Sequence, residues 1–477
     1  MSSIVLDALM ARAPSDRLVE ITGVDFDAGT LQGLVRGLAS RIPSGATLAT
    51  LGLHGIGLIV ADLAALWTGA RLVPLPGFFS REQIAHALAV SGATMLLVDP
   101  RELADTLARG FPGPILTLSY CLGDWSGRQP DYTAHERIIF TSGTTGRPKG
   151  VRHGIRQLEF MATALGKAVG ASSRDVHFAC LPLAQLLEQV AGLHLPILAG
   201  ARIATDPAAL QEALAGHPAA LFTALAEAGT TTTILVPRLL AAWVALLEAG
   251  LVPQPDRLRL VALGGAPVAP GLVTRARALG LPVAVGYGLS ECCSVVALGG
   301  VEDDPTTVGR ALPGLSIDLC DGEIVVTGPS VMTGYLGQDA LATPCWRTGD
   351  VGAFDDNGRL IVLGRRDTVL ITPDGRNIAP EWLEGTYESL PGIARALAAL
   401  ADDGRLLLAV IGKADAPVAL PDGRTLGLPA YALPQSMLRL SRQDAQTAGL
   451  DNPDRRAARR ALLSQLAARP DRFDRAA

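Results

Sequence analysis

Lysine is nearly absent from this chain. Three occur in 477 residues, Lys149, Lys167 and Lys413, and arginine carries the remaining positive charge. The formal net charge of −5 gives no electrostatic case for nucleic-acid binding. Aromatic residues make up 4% of a chain that is 49% hydrophobic, so the core rests on Ala, Leu and Val. The six cysteines (Cys121, Cys180, Cys292, Cys293, Cys320 and Cys345) lack ligand-like spacing, and the adjacent pair Cys292-Cys293 is a poor chelate. They read as reduced, partly buried thiols of a cytoplasmic protein. Met1-Ser2-Ser3-Ile4 lacks a basic region followed by an apolar one, so no signal peptide is expected. The most apolar stretch, Ala46 to Ala61, carries His54, two threonines and three glycines. It falls short of a membrane-spanning helix and reads as a buried strand and helix.

The length suffices for more than one domain. The first 130 residues alternate strand-like and helix-like segments. Thr47 to Leu51, Arg71 to Leu75 and Thr94 to Val98 are expected strands. Ile56 to Trp67 is an expected helix ended by Gly69-Ala70, and Ser80 is an expected N-cap with Gln83 completing a capping box. Such alternation predicts a mostly parallel sheet covered on both faces. Leu158, Met161, Leu165 and Val169 recur at helical spacing. Further strands are expected at Val176 to Leu183, Ile234 to Pro237, Leu260 to Pro267 and Val283 to Gly288. From about Ile317, short alternating strands separated by Asp321-Gly322 and Asp356-Asn357-Gly358 predict a small antiparallel or barrel-like region. A compact α/β segment follows Arg365 and ends in a helix from Asp454 to about Ala468.

The stretch from Ile138 to Val151 stands out. An apolar run ends in Thr141-Ser142-Gly143-Thr144-Thr145-Gly146-Arg147-Pro148-Lys149-Gly150, and a helix is expected directly afterwards. Glycines let backbone N–H groups converge on an anion, hydroxyls add donors, and Lys149 adds a point charge. It is a phosphate-holding composition, but not a Walker loop, which closes on Gly-Lys-Ser/Thr. The segment resembles the phosphate loop of the adenylate-forming superfamily, which includes acyl-CoA synthetases, peptide-synthetase adenylation domains and luciferases.

Further stretches resemble the same superfamily. In Gly286-Tyr287-Gly288-Leu289-Ser290-Glu291, the resemblance implies an aromatic face for adenine, a hydroxyl near the α-phosphate and a glutamate that helps hold Mg2+. In Trp346-Arg347-Thr348-Gly349-Asp350, it implies that Asp350 accepts hydrogen bonds from both ribose hydroxyls. Gly364-Arg365-Arg366-Asp367 looks like the domain boundary, with Arg365 contacting nucleotide and Asp367 as the hinge. Leu181-Pro182-Leu183-Ala184-Gln185 places Gln185 where relatives carry His or an aromatic beside the substrate carboxylate. Gly264-Gly265-Ala266-Pro267 resembles the loop beneath adenine and the acyl pocket. The wording Gly375-Arg376-Asn377-Ile378-Ala379-Pro380-Glu381 is closest to long-chain acyl-CoA synthetases.

The resemblance implies an α/β fold. A large N-terminal domain of stacked, mostly parallel sheets with a small β-barrel-like region would span 1–366, and a small mobile α+β lid 367–477. It implies ATP- and Mg2+-dependent activation of a fatty or aryl acid through an acyl-adenylate, with Lys149, Ser290, Glu291, Gln185 and Arg365 at the reacting centre. Transfer to CoA, or to the phosphopantetheine of an acyl carrier protein, would follow. The chain departs from the pattern near its end. The superfamily presents a lysine in a Gly-Lys-x-Asp-Arg context, bridging carboxylate and α-phosphate. Here Thr447-Ala448-Gly449-Leu450-Asp451-Asn452-Pro453-Asp454-Arg455 puts Leu450 or Asn452 in that slot. Losing one group aimed at developing charge costs on the order of 100- to 1000-fold in rate. Arg455, Arg456 or Lys413 could substitute, or the chain could be an impaired relative that binds nucleotide and acyl groups as a partner protein.

Overall fold

Runs with no polar alternation leave no strand face for water, and Thr47–Leu51 is buried at every position. It lies inside one of two large sheets in the computed structural model, which describes all residues except 1–2, 53, 78, 100–109, 118–133, 142–147, 374–375, 389, 391, 414–425, 427, 429, 453–454, 470–472 and 476–477. That sheet has seven strands. Five are parallel neighbours in the order Glu136–Thr141, Arg71–Pro74, Thr47–Leu51, Met95–Val98 and Ile115–Thr117. Lys149–Gly154 and Gly334–Tyr335 extend it antiparallel. The second sheet has nine strands. Val283–Tyr287, Leu260–Leu263, Thr232–Leu235, Val176–Phe178, Arg202–Thr205 and Arg17–Ile21 run parallel at its centre, with antiparallel strands at both edges.

Local chemistry sets several boundaries as expected. Gly69 closes helix Ile56–Thr68 in the left-handed conformation that glycine tolerates. Ser80 and Gln83 form the full capping box at the start of Arg81–Ser91. Two expectations need correction. The strand expected over Val176 to Leu183 stops at Phe178, and Leu181 to Gln185 is a loop. No helix directly follows Lys149. A strand, Lys149–Gly154, comes first, with Thr141 and Lys149 in register, so the phosphate-type loop joins two antiparallel strands. Arg152, at a partly exposed position of that strand, bonds Glu136 on the neighbouring one. Of the two forms expected after Ile317, the antiparallel one holds: Ser316–Cys320, Glu323–Thr327, Cys345–Phe354 and Leu360–Arg365 form a four-stranded antiparallel sheet.

Beyond residue 370 the chain builds cores of its own. Sheet strands Ile393–Leu400, Leu406–Gly412 and Ser436–Leu440 carry apolar side chains on both faces. Leu383, Tyr387 and Leu408 pack on one side, and Leu407, Leu450 and Leu462 on the other. Helices Pro380–Glu388 and Arg455–Ala468 are joined by charge. Glu384, wholly buried, accepts from the backbone N–H of Ala398 (2.9 Å), from Arg455 Nη1 (2.5 Å) and from Arg459 Nε (2.8 Å). Arg459 also bonds Glu381, and Arg455 also bonds Glu388. Removing one member of a buried ion cluster leaves the others uncompensated, at a cost of about 3–5 kcal/mol. Glu384→Ala is therefore expected to destabilise the 370–473 region by that amount. Hydrogen exchange of strands 393–400 and 406–412 should accelerate while strand 47–51 stays protected.

Candidate active site

The C-terminal ends of the central strands in an open α/β sheet are where ligands sit. Here a cavity of about 600 Å3 begins at such ends and runs between the nine-stranded sheet and the helices that face it. Its mouth is lined by Thr141, Gln185, Gly264, Gly265, Gly286, Tyr287, Gly288 and Ser290. Four of these eight carry no side chain, which lets a flat ring approach the backbone. Farther in, the walls are Ile234, Leu260 and Ala262 from the sheet, and Leu165, Leu186, Ala191 and Leu195 opposite. Asp175 and Arg259 lie at the far end, joined by two hydrogen bonds of 2.7 and 2.8 Å.

Two connected groups of polar side chains meet at the Gly286–Glu291 loop. In the first, Tyr287 donates its hydroxyl to Asp350 Oδ2 at 2.5 Å, and Arg365 Nη1 donates to Asp350 Oδ1 at 3.2 Å. Asp350 and Arg365 are register partners on neighbouring antiparallel strands, so sheet pairing presents them together. Burial pushes the Asp350 carboxyl above its usual range, against the pull of Tyr287 and Arg365. The Tyr287 phenol is pushed up by burial and by Asp350. In the second group, Tyr335 donates to Glu291 Oε1 at 2.8 Å, and the Lys149 ammonium sits 5.5 Å from the Tyr335 ring centroid. Asp367 is exposed, with a carboxylate oxygen 3.8 Å from Arg365 Nε.

The structure thus brings Tyr287, Asp350 and Arg365 together, and Lys149 and Glu291 about one ring. Thr141, Gln185, Gly265 and Ser290 line the cavity. Ala266 and Pro267 are exposed beside its mouth. Ser142, Gly143, Thr144, Thr145 and Gly146 lie outside the described residues, as does Arg147. Tyr335 is a site residue that sequence reasoning missed, although an aromatic after glycine in so aromatic-poor a chain was a usable signal. Ser294 was missed as well. It lines the cavity with φ +93, and a Cβ on Gly288 would stand 1.6 Å from its carbonyl oxygen. A non-glycine residue held in the left-handed region stores strain, which functional loops tend to carry.

Below the mouth lies a buried charge network. Arg137, fully buried on strand Glu136–Thr141, is 2.5 Å from Asp62 Oδ2 and donates to Gln189 Oε1 at 2.9 Å. His194 Nε2 is 2.7 Å from Asp62 Oδ1. Gln189 and His194 are the ends of a π-helical turn, Gln189–His194, and such turns recur at functional sites. The network therefore ties the strand that enters the phosphate-type loop to the turn beside the cavity. His153 Nε2 reaches the Ser290 carbonyl at 2.7 Å, and burial lowers its pKa to about 4, so at neutral pH the ring is uncharged and donates from Nε2.

A sequence profile of the AMP-binding enzyme family matches residues 34–336. The chain is 28% identical over 381 residues to a 2-succinylbenzoate–CoA ligase of Bacillus licheniformis, covering 74% of this chain and 76% of that one. The o-succinylbenzoate CoA synthetase of Bacillus subtilis in complex with its acyl-adenylate intermediate superposes with a TM-score of 0.76 at 23% identity, over 92% of this chain and 94% of that chain. The same synthetase with ATP and magnesium ion gives a TM-score of 0.75 at 22% identity, over 92% and 96%. These structures share the fold described above.

Burial alone would raise the Asp62 carboxyl. Arg137 and His194 outweigh it and hold the group well below the carboxylate range. The stability this contributes is present above the unfolded pKa and is lost as pH falls through the folded one. Asp62→Ala is expected to cost about 3–5 kcal/mol at pH 7, because Arg137 is left buried without its partner. In urea unfolding, the deficit relative to the unsubstituted protein should shrink once pH drops below the ordinary carboxylate range.

Proposed function

Because the chain belongs to the AMP-binding enzyme family, we propose that it activates a carboxylic acid with ATP and passes the acyl group to a thiol. The observation that carries the reading is the single cavity that joins a glycine-lined mouth to an apolar channel. Nucleotide belongs at the mouth and the acid in the channel. The acid's carboxylate oxygen attacks the α-phosphorus, the bond to the bridging oxygen breaks, and pyrophosphate leaves. The thiol sulfur then attacks the carbonyl carbon of the acyl-adenylate, AMP leaves, and a thioester forms. CoA is the thiol acceptor in the ligases of this kind, and the phosphopantetheine of a carrier protein would offer the same group.

The residue roles follow from chemistry. Asp350 offers lone pairs to ribose hydroxyls, and Arg365 keeps that carboxylate oriented. Tyr287 presents a ring whose hydroxyl is anchored, hence a fixed face for adenine. Glu291 is a hard oxygen donor suited to Mg2+, and Tyr335 holds its orientation from one side. Mg2+ bound there would spread the charge of the leaving phosphates. Lys149 and the segment 141–146 supply the cation and donors on the pyrophosphate side. The channel walls suit an extended, largely apolar acid. An aryl acid agrees with the succinylbenzoate ligases, and a fatty acid with the wording around Asn377. The unit from 367 onward has its own cores, which supports a lid turning about Asp367.

The missing lysine remains the specific argument for an impaired relative. Arg455 does not replace it, since that side chain is engaged by Glu384 and Glu388 within the lid. Leu450 is fully buried in the lid core, while Asn452 is exposed at the turn before the last helix. The test is pyrophosphate release from ATP with a panel of aryl and fatty acids. Release with at least one acid is expected, whereas ATP binding with no release for any acid leaves the partner-protein reading. Asp350→Ala should weaken AMP binding by about 10- to 100-fold, the worth of charge-assisted hydrogen bonds. Asn452→Lys is expected to raise the adenylation rate, and Leu450→Lys to lower the lid's stability without raising the rate.

A further inference from the structure

Near the far end of the apolar channel, one register level from Asp175 and Arg259, stands a chain of three hydrogen-bonding side chains. His177 lines the channel on strand Val176–Phe178, and Thr232 lines it on the neighbouring strand at the same register level. Nδ1 of His177 is 3.1 Å from Thr232 Oγ1, and Nε2 is 2.8 Å from Glu188 Oε1. Glu188 is wholly buried, and the Leu181 backbone N–H also bears on its carboxyl. Burial pushes its carboxyl above the usual range, with His177 pulling it back. A carboxylate, an imidazole and a hydroxyl in line are costly to bury in an apolar wall, and a plain core would place leucine or valine there.

The surrounding backbone makes room for this chain. Glu188 directly precedes the π-helical turn, and Gly192 lies within it. A Cβ on Gly192 would stand 2.1 Å from Glu188 Oε1 and 3.0 Å from His177 Nε2. The widened turn and the glycine together hold the space in which carboxylate and imidazole meet. Thr232 Oγ1 is the end of the chain that reaches the channel, and His177 is its one side-chain partner among the described residues. Either the imidazole donates to that oxygen and leaves its O–H free, or it accepts the O–H and leaves lone pairs free. A hydroxyl on a ligand answers both arrangements, because it donates and accepts.

Position along the channel gives the length. Thr232 is level with Leu260, and Gly264 at the mouth lies four residues farther along that strand, about 13 Å at the rise of a strand. An extended chain covers that distance in roughly eleven atoms. We propose that Thr232, backed by His177 and Glu188, selects acids that carry a hydroxyl on the distal part of an otherwise apolar body. This rests on the reading of the channel as the acid site. His177 and Glu188 act as positioning residues, since neither is asked to touch the acid.

The test is direct binding by calorimetry in the presence of AMP. The probes are a ladder of ω-hydroxy fatty acids and hydroxyphenyl-alkanoic acids of increasing length, each compared with its unsubstituted counterpart. At the length that reaches Thr232, the hydroxylated acid is expected to bind about tenfold tighter or better, the worth of one hydrogen bond made in a dry wall. Thr232→Val should erase the preference, Thr232→Ser should keep it, and His177→Phe should reduce it. Equal affinities at every length, or a preference that survives Thr232→Val, overturns the proposal. Pyrophosphate release measured in parallel separates the two readings. Selective binding without release would sink acid activation alone, and release without selectivity would sink the hydroxyl reading alone.

Discussion

The pairing of Arg137 with Asp62 is the contact on which the site's geometry depends. A guanidinium wholly removed from water must be matched on several sides, and here a carboxylate and an amide from different elements do so. Arg137 lies on the strand that leads into the phosphate-type loop. Asp62 lies on the helix after the first strand of the same sheet, and Gln189 and His194 on a turn beside the cavity. None can shift alone without leaving a buried polar group unpaired. The seven-stranded sheet, the helix Ile56–Thr68 and the π-helical turn beside the channel are thereby held in one arrangement. His153 extends the same logic, since a neutral ring on the next strand fixes the Ser290 carbonyl.

The C-terminal unit solves a different problem with the same currency of buried charge. Its arginines do not form a solvated face at the two positions where partners are defined. Arg455 and Arg459 bind the two helices through Glu381, Glu384 and Glu388. This engages two of the cations of the last helix within the C-terminal unit. Leu450, one of the two residues aligned with the slot where a lysine would be expected, serves the core. Of the two positions, Leu450 is thus tied to the core of the C-terminal unit, while Asn452 stands at its surface.

Much of this was legible in the sequence, and the reasons differ by element. Gly69, Ser80 and Gln83 act through local backbone chemistry, so their caps could be read directly. The stretches Thr141 to Gly150, Gly286 to Glu291, Trp346 to Asp350 and Gly364 to Asp367 could be placed because their wording resembles one superfamily. The strand Lys149–Gly154 was missed because its residues, Lys-Gly-Val-Arg-His-Gly, have little strand character of their own. It is a strand because it pairs with Glu136–Thr141. Tyr335 was missed because it reaches Glu291 across 44 positions of sequence. The chain Glu188–His177–Thr232 was invisible for the same reason. It needs two strands and a π-turn to be assembled, and no spacing in the sequence marks a π-turn.

The carboxylate of Asp350 already holds two partners, a phenol and a guanidinium. A ribose taken up there enters by exchange, trading its bonds to water for bonds that Tyr287 and Arg365 now hold in part. The net gain from such a trade is a difference between two satisfied states, smaller than a count of the bonds formed. What this corner does provide is memory of shape. The aromatic face and the carboxylate are held in fixed relative positions before any ligand arrives.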